Sequence, residues 1–516
     1  MGIPRTRTTL LFVGFFLLAA SRRWQQFTCP QVWCEDGEVM AGFARLGWRE
    51  FLVPVNGYLI LAPKLLTGAV LALSLPWYPL LSTVLATAFS ALVGVAVSTA
   101  PTNLRLRTLC ALGLFLVPSN PEVFDLPLYA LWWAPVLLLL VALWDEDDPR
   151  LGLRLLFLVL GGLSSPFIVV VVPALAIRAL ARPRAPVGWA LAGVGAAAAV
   201  VQAGFLLRGT GAVAPTGAAL GRFVVPKFCG WYVAGNFSPD PRLLWALGLG
   251  ILALLAAQLP AGGRRPASWI LTYLWAGSIA ASVLRVDPAV LHPAAAGPRY
   301  FFLPFVTTTW LLLQQVARPG PRGLRLAAAL AAGAAVANAV PVWSRRHVDL
   351  EWRAQVRSAR CFPSYGMLIE SDGLREHAWG LALPQEQWLK LWRRALDRGA
   401  TDPAGAPTFA YRVLLPSDRP AGAALPAAGA RVDFAAGTAG PAGLRLSPRG
   451  RIEFRSGADP VPIPLAVVGS AGTFIGRLPV YPDWVTLEFS NAKLQPGCAF
   501  RVGAPGRSVG EWRPAP

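Results

Sequence analysis

The sequence predicts a polytopic α-helical membrane protein of about eleven transmembrane helices that ends in a small β-rich domain outside the cytoplasm. Three observations carry that reading. Of the 516 residues, 55% are hydrophobic and only 14% charged, and the apolar residues come in blocks such as Pro135 to Trp144 and Phe167 to Ala181. Arginines gather in the short stretches between blocks, at Arg182-Pro183-Arg184, Arg264-Arg265 and Arg318 to Arg325, where the positive-inside rule puts cytoplasmic loops. Beyond Val342 the apolar blocks stop. The net charge of +20 is then a topology signal, and no nucleic-acid partner is implied.

The first helix covers Thr8 to Ala20 after Arg5 and Arg7. Arg22-Arg23 follow where a cleaved signal peptide would carry small residues, so the helix is read as uncleaved with its start in the cytoplasm. An outer loop, 24–56, comes next. Stretches long enough to cross recur at Gly57 to Leu75, Trp77 to Ser98, Leu126 to Trp144, Val187 to Leu207, Leu243 to Leu259, Ser268 to Leu284, Tyr300 to Val316 and Leu324 to Val342. Gly152 to Ser164 and Pro166 to Leu180 are shorter. Read as a hairpin turning at Leu163 to Pro166, they keep Arg150, Arg154, Arg178 and Arg182 on the cytoplasmic side. Leu104 to Val117 is read as interfacial or re-entrant, because a crossing there would put the later basic loops on the wrong side; the cost is that Arg105 and Arg107 fall outside. The amino terminus is then inside and the carboxyl terminus outside. The acidic run Asp145 to Asp148 faces the cytoplasm and is expected to be solvated.

The membrane domain is thus expected over 1–342. Residues 343–399 are rich in Trp and Arg, with the spacing of amphipathic helices lying on the membrane surface around Trp352 and Trp388. Over 400–516, short runs of strand character at Phe409 to Leu415, Arg431 to Phe434, Leu444 to Phe454, Ile463 to Val468, Trp484 to Phe489 and Ala499 to Val502 suggest a small β-sandwich-like domain.

Polar residues that fall on the outer face are the candidates for chemistry. Glu35 and Asp36 lie just beyond the first helix, and a carboxylate at a membrane surface is suited to take a proton from a hydroxyl; both could instead cap the helix that follows. Arg299 and Tyr300, at the outer end of a span, offer a guanidinium fork and a hydroxyl to a lipid phosphate, or an interfacial anchor and a belt aromatic. Lys64 is a charge within an apolar span, either a phosphate ligand or a snorkelling side chain. Glu122 is placed to serve an acceptor site or to solvate its turn. Cys29 and Cys34 would close a small ring if oxidised and otherwise act as apolar filler. His292, His347 and His377 show no zinc-ligand spacing, so no metal site is assigned and no cofactor is expected, a divalent ion remaining compatible with the carboxylates.

The order of one short helix, an outer loop with Glu35-Asp36-Gly37, a Gly57-Tyr58 to Pro63-Lys64 element, many spans, a late Gly297-Pro298-Arg299-Tyr300-Phe301 element and an outer soluble domain resembles the GT-C-type integral-membrane glycosyltransferases. The likeness reaches to about Trp352. It implies transfer of a sugar from a polyprenyl-phosphate donor to a glycan, lipid or protein acceptor outside a bacterial-type plasma membrane, with Asp36, or Glu35, as general base. Lys64 stands where that family often carries Arg, and the later outer loops lack a DxD pair. A transporter or flippase of lipid-linked substrates is the alternative function, although no internal repeat supports it. A membrane-anchored assembly protein is a third.

Overall fold

The computed structural model describes residues 5–208, 222–257, 266–287, 289–295, 297–345, 347–350, 352–361, 364–370 and 379–395, and after 395 strands alone. His377 and Arg264-Arg265 lie outside the described residues. The chain is mostly helical and divides into two units, Met1–Thr28 with Phe51–Leu66 and Ser82–Arg345, and Cys29–Glu50 with Thr67–Leu81 and Arg346–Pro516. The outer loop 24–56 does not stay with the helices, since its Cys29–Glu50 portion folds with the chain after Arg345.

The helices in order are α1 (Arg5–Arg22), α2 (Gln25–Thr28), α3 (Asp36–Leu46), α4 (Leu61–Leu73), α5 (Tyr78–Thr99), α6 (Arg107–Leu116), α7 (Ala130–Leu143), α8 (Leu151–Gly162), α9 (Ile168–Ala181) and α10 (Pro186–Leu206). They continue with α11 (Trp231–Ala234), α12 (Pro241–Ala256), α13 (Pro266–Arg285), α14 (Phe302–Val316) and α15 (Arg322–Ala339). Four of the described helices are long and apolar enough to cross a membrane: α5, α10, α13 from Ala267, and α15 with its extension to Val342. In the first unit α7 is apolar on every side and buried except at Trp132, as a central helix must be. Where the short hairpin is expected stand two short helices, α8 and α9, each packed on α7 and α10.

Hydrogen bonds sort the helix ends of the first unit into two groups. At one end Arg22 donates to the carbonyls of Phe115, Val117 and Ser119 at 2.8, 3.2 and 2.6 Å, and the Thr87 hydroxyl donates to Asp125 at 2.7 Å. The Leu61 N–H reaches the Leu163 carbonyl at 3.0 Å, and Gln202 bonds Leu59 and Gly162. At the other end Asn103 N–H meets the Leu143 carbonyl at 2.9 Å, and Arg105 and Gln314 exchange two bonds of 3.0 Å. Arg178 donates there to the Trp144 carbonyl at 2.6 Å, and Arg154 to that of Asp148 at 2.8 Å.

Leu61 and Thr87 thus share one end, so the chain between them makes no net passage through the unit. Asn103 to Ser119 does pass through, from the second end to the first. Both segments form short apolar helices, Leu61–Leu73 and Arg107–Leu116, where Gly57 to Leu75 is expected to cross and Leu104 to Val117 to be interfacial or re-entrant. With Cys110, Ala111, Leu114 and Phe115 at 0% exposure and Trp310 Nε1 donating to the Cys110 carbonyl at 2.9 Å, one face of α6, a helix of about 15 Å, is lined by protein, while Leu109 on another is exposed. Arg105 donates to the Ala317 carbonyl at 2.7 Å, beside the Arg318 turn. The acidic run at that end is ion-paired and not merely solvated. Glu146 bridges Arg178 and Arg182 at 3.1 and 2.6 Å, Asp147 pairs with Arg182 at 3.0 Å and Asp148 with Arg150 at 3.0 Å. The Arg150 guanidinium holds the Asp148 carboxyl down at about 2.

In the second unit β1 (Ser364–Ile369) pairs antiparallel with β2 (Trp379–Pro384), with Met367 opposite Leu381. Around this hairpin pack α3, α16 (Trp352–Cys361) and α17 (Gln385–Arg394). The apolar stripes expected to lie on the membrane surface are core here. Trp352, Val356, Trp388, Leu391 and Trp392 are all buried, and α17 packs on α3, α16 and β2. Farther on, strands between Ala410 and Pro514 pair into a four-stranded and a five-stranded sheet.

Candidate functional site

In the first unit the turn at Ser119 to Tyr129 and the segment entering α14 build one polar cluster. Asn120 caps a 3-10 turn at Pro121–Val123 by accepting from the Glu122 N–H at 3.0 Å, and Trp133 Nε1 ties the Val123 carbonyl at 2.7 Å. On the facing segment Gly297 has a φ of 67°, and a Cβ there would lie 3.0 Å from the Tyr300 ring; glycine meets both conditions. The Tyr300 carbonyl accepts from Ser282 at 2.8 Å. These constraints bring Arg299 Nη1 to 2.8 Å from Glu122 Oε1 and 3.0 Å from the Tyr129 hydroxyl, which itself donates to Glu122 at 2.5 Å. Three residues thus share one half-buried charge pair, the Glu122 side chain 11% and the Arg299 side chain 27% exposed.

Beside it opens a cavity of about 430 Å³. Its wall is apolar, including Trp132, Phe167, Val170 and Leu303, and its polar contributors are Tyr58, Ser165, Ser278, Ser282, Arg285 and Tyr300. Tyr300 stands edge-on to Trp132 at 5.1 Å, and the Arg299 guanidinium lies 5.9 Å over the Tyr300 ring. Arg285 donates to the Asn56 carbonyl and lies 5.8 Å over the Tyr58 ring.

Of the residues expected from sequence, Arg299, Tyr300 and Glu122 are therefore brought together, but Arg299 is engaged by a carboxylate and does not line the cavity. Lys64 is fully buried and donates to the Val53 carbonyl, not to the cavity. Sequence reasoning missed Arg285, which resembles an ordinary cation at a helix end. It also missed Asp125, 1% exposed and with a left-handed φ of 61°. Burial pushes its carboxyl up to about 7, against the pull of the Thr87 hydroxyl and of Arg23 and Arg22. The only signal in the sequence was an aspartate between apolar neighbours.

Glu35 and Asp36 belong to the second unit. Glu35 sits at the N-cap of α3 without a side-chain capping bond, and Asp36 stands in the first turn of that helix. Asp36 is 2% exposed and Glu35 half-buried. The backbone is held by Asp36 N–H to the Trp33 carbonyl at 2.9 Å and Gly37 N–H to that of Cys34 at 3.1 Å. A Cβ on Gly37 would press on Ile369 at 3.2 Å, so α3 starts tight against β1. Cys29 and Cys34 are half-buried and are not joined to each other by a disulfide. Among the described residues no three His, Cys, Asp or Glu side chains cluster as metal ligands would. Compared with family models, with curated proteins and with solved structures, the chain gives no match in any of the three.

Proposed function

We propose that this chain is a GT-C-type membrane glycosyltransferase that moves a sugar from a polyprenyl-phosphate donor to an acceptor outside the cytoplasm. The observation that carries the reading is the cavity of about 430 Å³, apolar along its wall and bearing Arg285, Tyr58, Tyr300 and three serines. An isoprenoid chain is bound by apolar burial at about 25 cal/mol per Å², and its phosphate by a guanidinium fork. The finer topology belongs to the same reading: eleven passages, formed by α1, α5 to α10 and α12 to α15, place the basic end of the first unit in the cytoplasm and the cavity end outside. The strands after Ala410 then make up an outer β-sandwich-like domain.

In the reaction the acceptor hydroxyl loses its proton to a carboxylate and its oxygen bonds to the anomeric carbon. The bond from that carbon to the phosphate oxygen breaks, and the lipid phosphate leaves with the electron pair. We assign the proton acceptor to Asp36, with Glu35 beside it, and the phosphate contact to Arg285 and Tyr300. Arg299, held by Glu122, fixes Tyr300 from behind. Asp36→Asn keeps shape without the base, so turnover should fall roughly a hundredfold with donor binding nearly unchanged. Supplying the purified protein in lipid nanodiscs with polyprenyl-phosphate hexoses, and following the sugar, tests this. Parental turnover by both Asp36→Asn and Glu35→Gln would remove the carboxylates from the mechanism, and a deletion strain with an unchanged surface glycan would remove the enzyme reading. Export of an intact lipid-linked sugar without transfer would favour a flippase.

A further inference from the structure

Glu370, which follows β1, is tied to the acidic loop by its main chain and to His347 by its side chain. Its N–H donates to the Val32 carbonyl at 3.0 Å and its carbonyl accepts from Cys34 N–H at 2.7 Å, a parallel bridge opposite Trp33. Its carboxylate meets His347 Nδ1 at 2.6 Å and the Val348 N–H at 3.3 Å. Both side chains of this pair are 1% exposed. The His347 ring stands edge-on to Trp33 at 5.9 Å, and Trp33 is itself 1% exposed. Between these fixed points Cys34 has a φ of 34°, a left-handed backbone that a side-chain-bearing residue keeps only where its surroundings over-determine it. The next two residues are Glu35 and Asp36. What sets the direction of both carboxylates is therefore the turn that Glu370 clamps.

We infer that His347 and Glu370 are positioning residues for the Glu35-Asp36 pair. The inference rests on the assignment of Asp36 as the base. Neither side chain is open to an acceptor, so the pair acts through the loop: His347 fixes the Glu370 carboxylate, Glu370 fixes Val32 and Cys34, and Cys34 fixes the start of α3. It also makes the segment after the last membrane helix part of the catalytic apparatus.

The test uses the full-length protein in a deletion strain, reading formation of the glycan that deletion removes. Labelling by a photoactivatable polyprenyl phosphate and the amount of folded protein are read in parallel. His347→Leu and Glu370→Ala should slow glycan formation roughly ten- to a hundredfold, the range expected when a reacting group is displaced by about 1 Å, with labelling within about twofold of the parent. His347→Gln keeps an N–H for Glu370, as Glu370→Gln keeps an oxygen for Val348, and both should recover most of the rate. Parental glycan formation by His347→Leu beside none by Asp36→Asn would overturn the inference and leave the base assignment intact. Loss of labelling together with glycan in His347→Leu and in both conservative variants would show general misfolding and overturn it as well. Parental rates in Asp36→Asn would remove the base, and this inference with it.

Discussion

At the residue scale the two arginines near the cavity have different tasks. Arg285 lines the cavity while Arg299 faces Glu122. Arg285→Ala should therefore lower labelling by a photoactivatable polyprenyl phosphate several-fold with little change in melting temperature. Glu122→Ala leaves the Arg299 guanidinium and the Tyr129 hydroxyl without their acceptor, and should cost about 1–3 kcal/mol in stability, read by thermal unfolding in detergent. Asp125 gives a pH dependence of known sign. Its carboxyl ionises at about 7 in the folded chain against an ordinary 3.8. Below pH 3.8 it is neutral in both states and its stabilising share is whole; as pH rises the unfolded chain ionises first, and that share is lost across the window up to about 7. Melting temperature should fall between pH 4 and 7, and Asp125→Asn, which keeps an oxygen for Thr87, should flatten the fall. An unchanged slope in Asp125→Asn would remove Asp125 as its source.

At the scale of elements the instructive case is α6. Its 10 residues are short for a crossing when a bilayer is the assumed surroundings, yet Cys110, Ala111, Gly113, Leu114 and Phe115 are buried against protein, and on that face, though not at the exposed Leu109, the length requirement lapses. A single cysteine at Asn103 should react with a membrane-impermeant maleimide only from the cytoplasm, and one at Asn120 only from outside. Reaction of both from one side would restore the re-entrant reading. By contrast the α8 and α9 pair was legible, because Arg150, Arg154, Arg178 and Arg182 mark one end and Ser164-Ser165-Pro166 the turn. The amphipathic spacing around Trp388 was legible as a helix but not as a core element, since periodicity shows that a face is apolar without showing what covers it. The candidate site was legible in part. Arg299, Tyr300 and the acidic pair stand out by charge or hydroxyl against apolar surroundings, whereas the link of the His347 and Glu370 pair to the acidic loop exists only through the isolated bridge between Trp33 and Glu370, remote in sequence.

At the scale of the whole molecule, Arg105, Arg154, Arg178 and Arg182 collect at one end of the first unit, while Arg22 and the cavity belong to the other group of helix ends. A reporter fused after Pro516 should be active outside the cytoplasm, and one inserted in the Arg318 to Pro321 turn only inside; a carboxyl-terminal reporter active inside would contradict eleven passages. Truncation after Gly399 retains Glu370 and should leave measurable transfer, whereas truncation after Arg345 should abolish it, as read by the same surface glycan. The central claim is that the cavity holds a polyprenyl phosphate. Its most direct test is cross-linking of a diazirine-bearing polyprenyl phosphate to the protein in nanodiscs, with the labelled peptides mapped by mass spectrometry. The account predicts labels on α7, α9, α13 and the start of α14, competed by unlabelled polyprenyl phosphate and lost when Leu303→Trp fills the cavity. Labels scattered over the lipid-facing helices, unaffected by competitor or by Leu303→Trp, would contradict it.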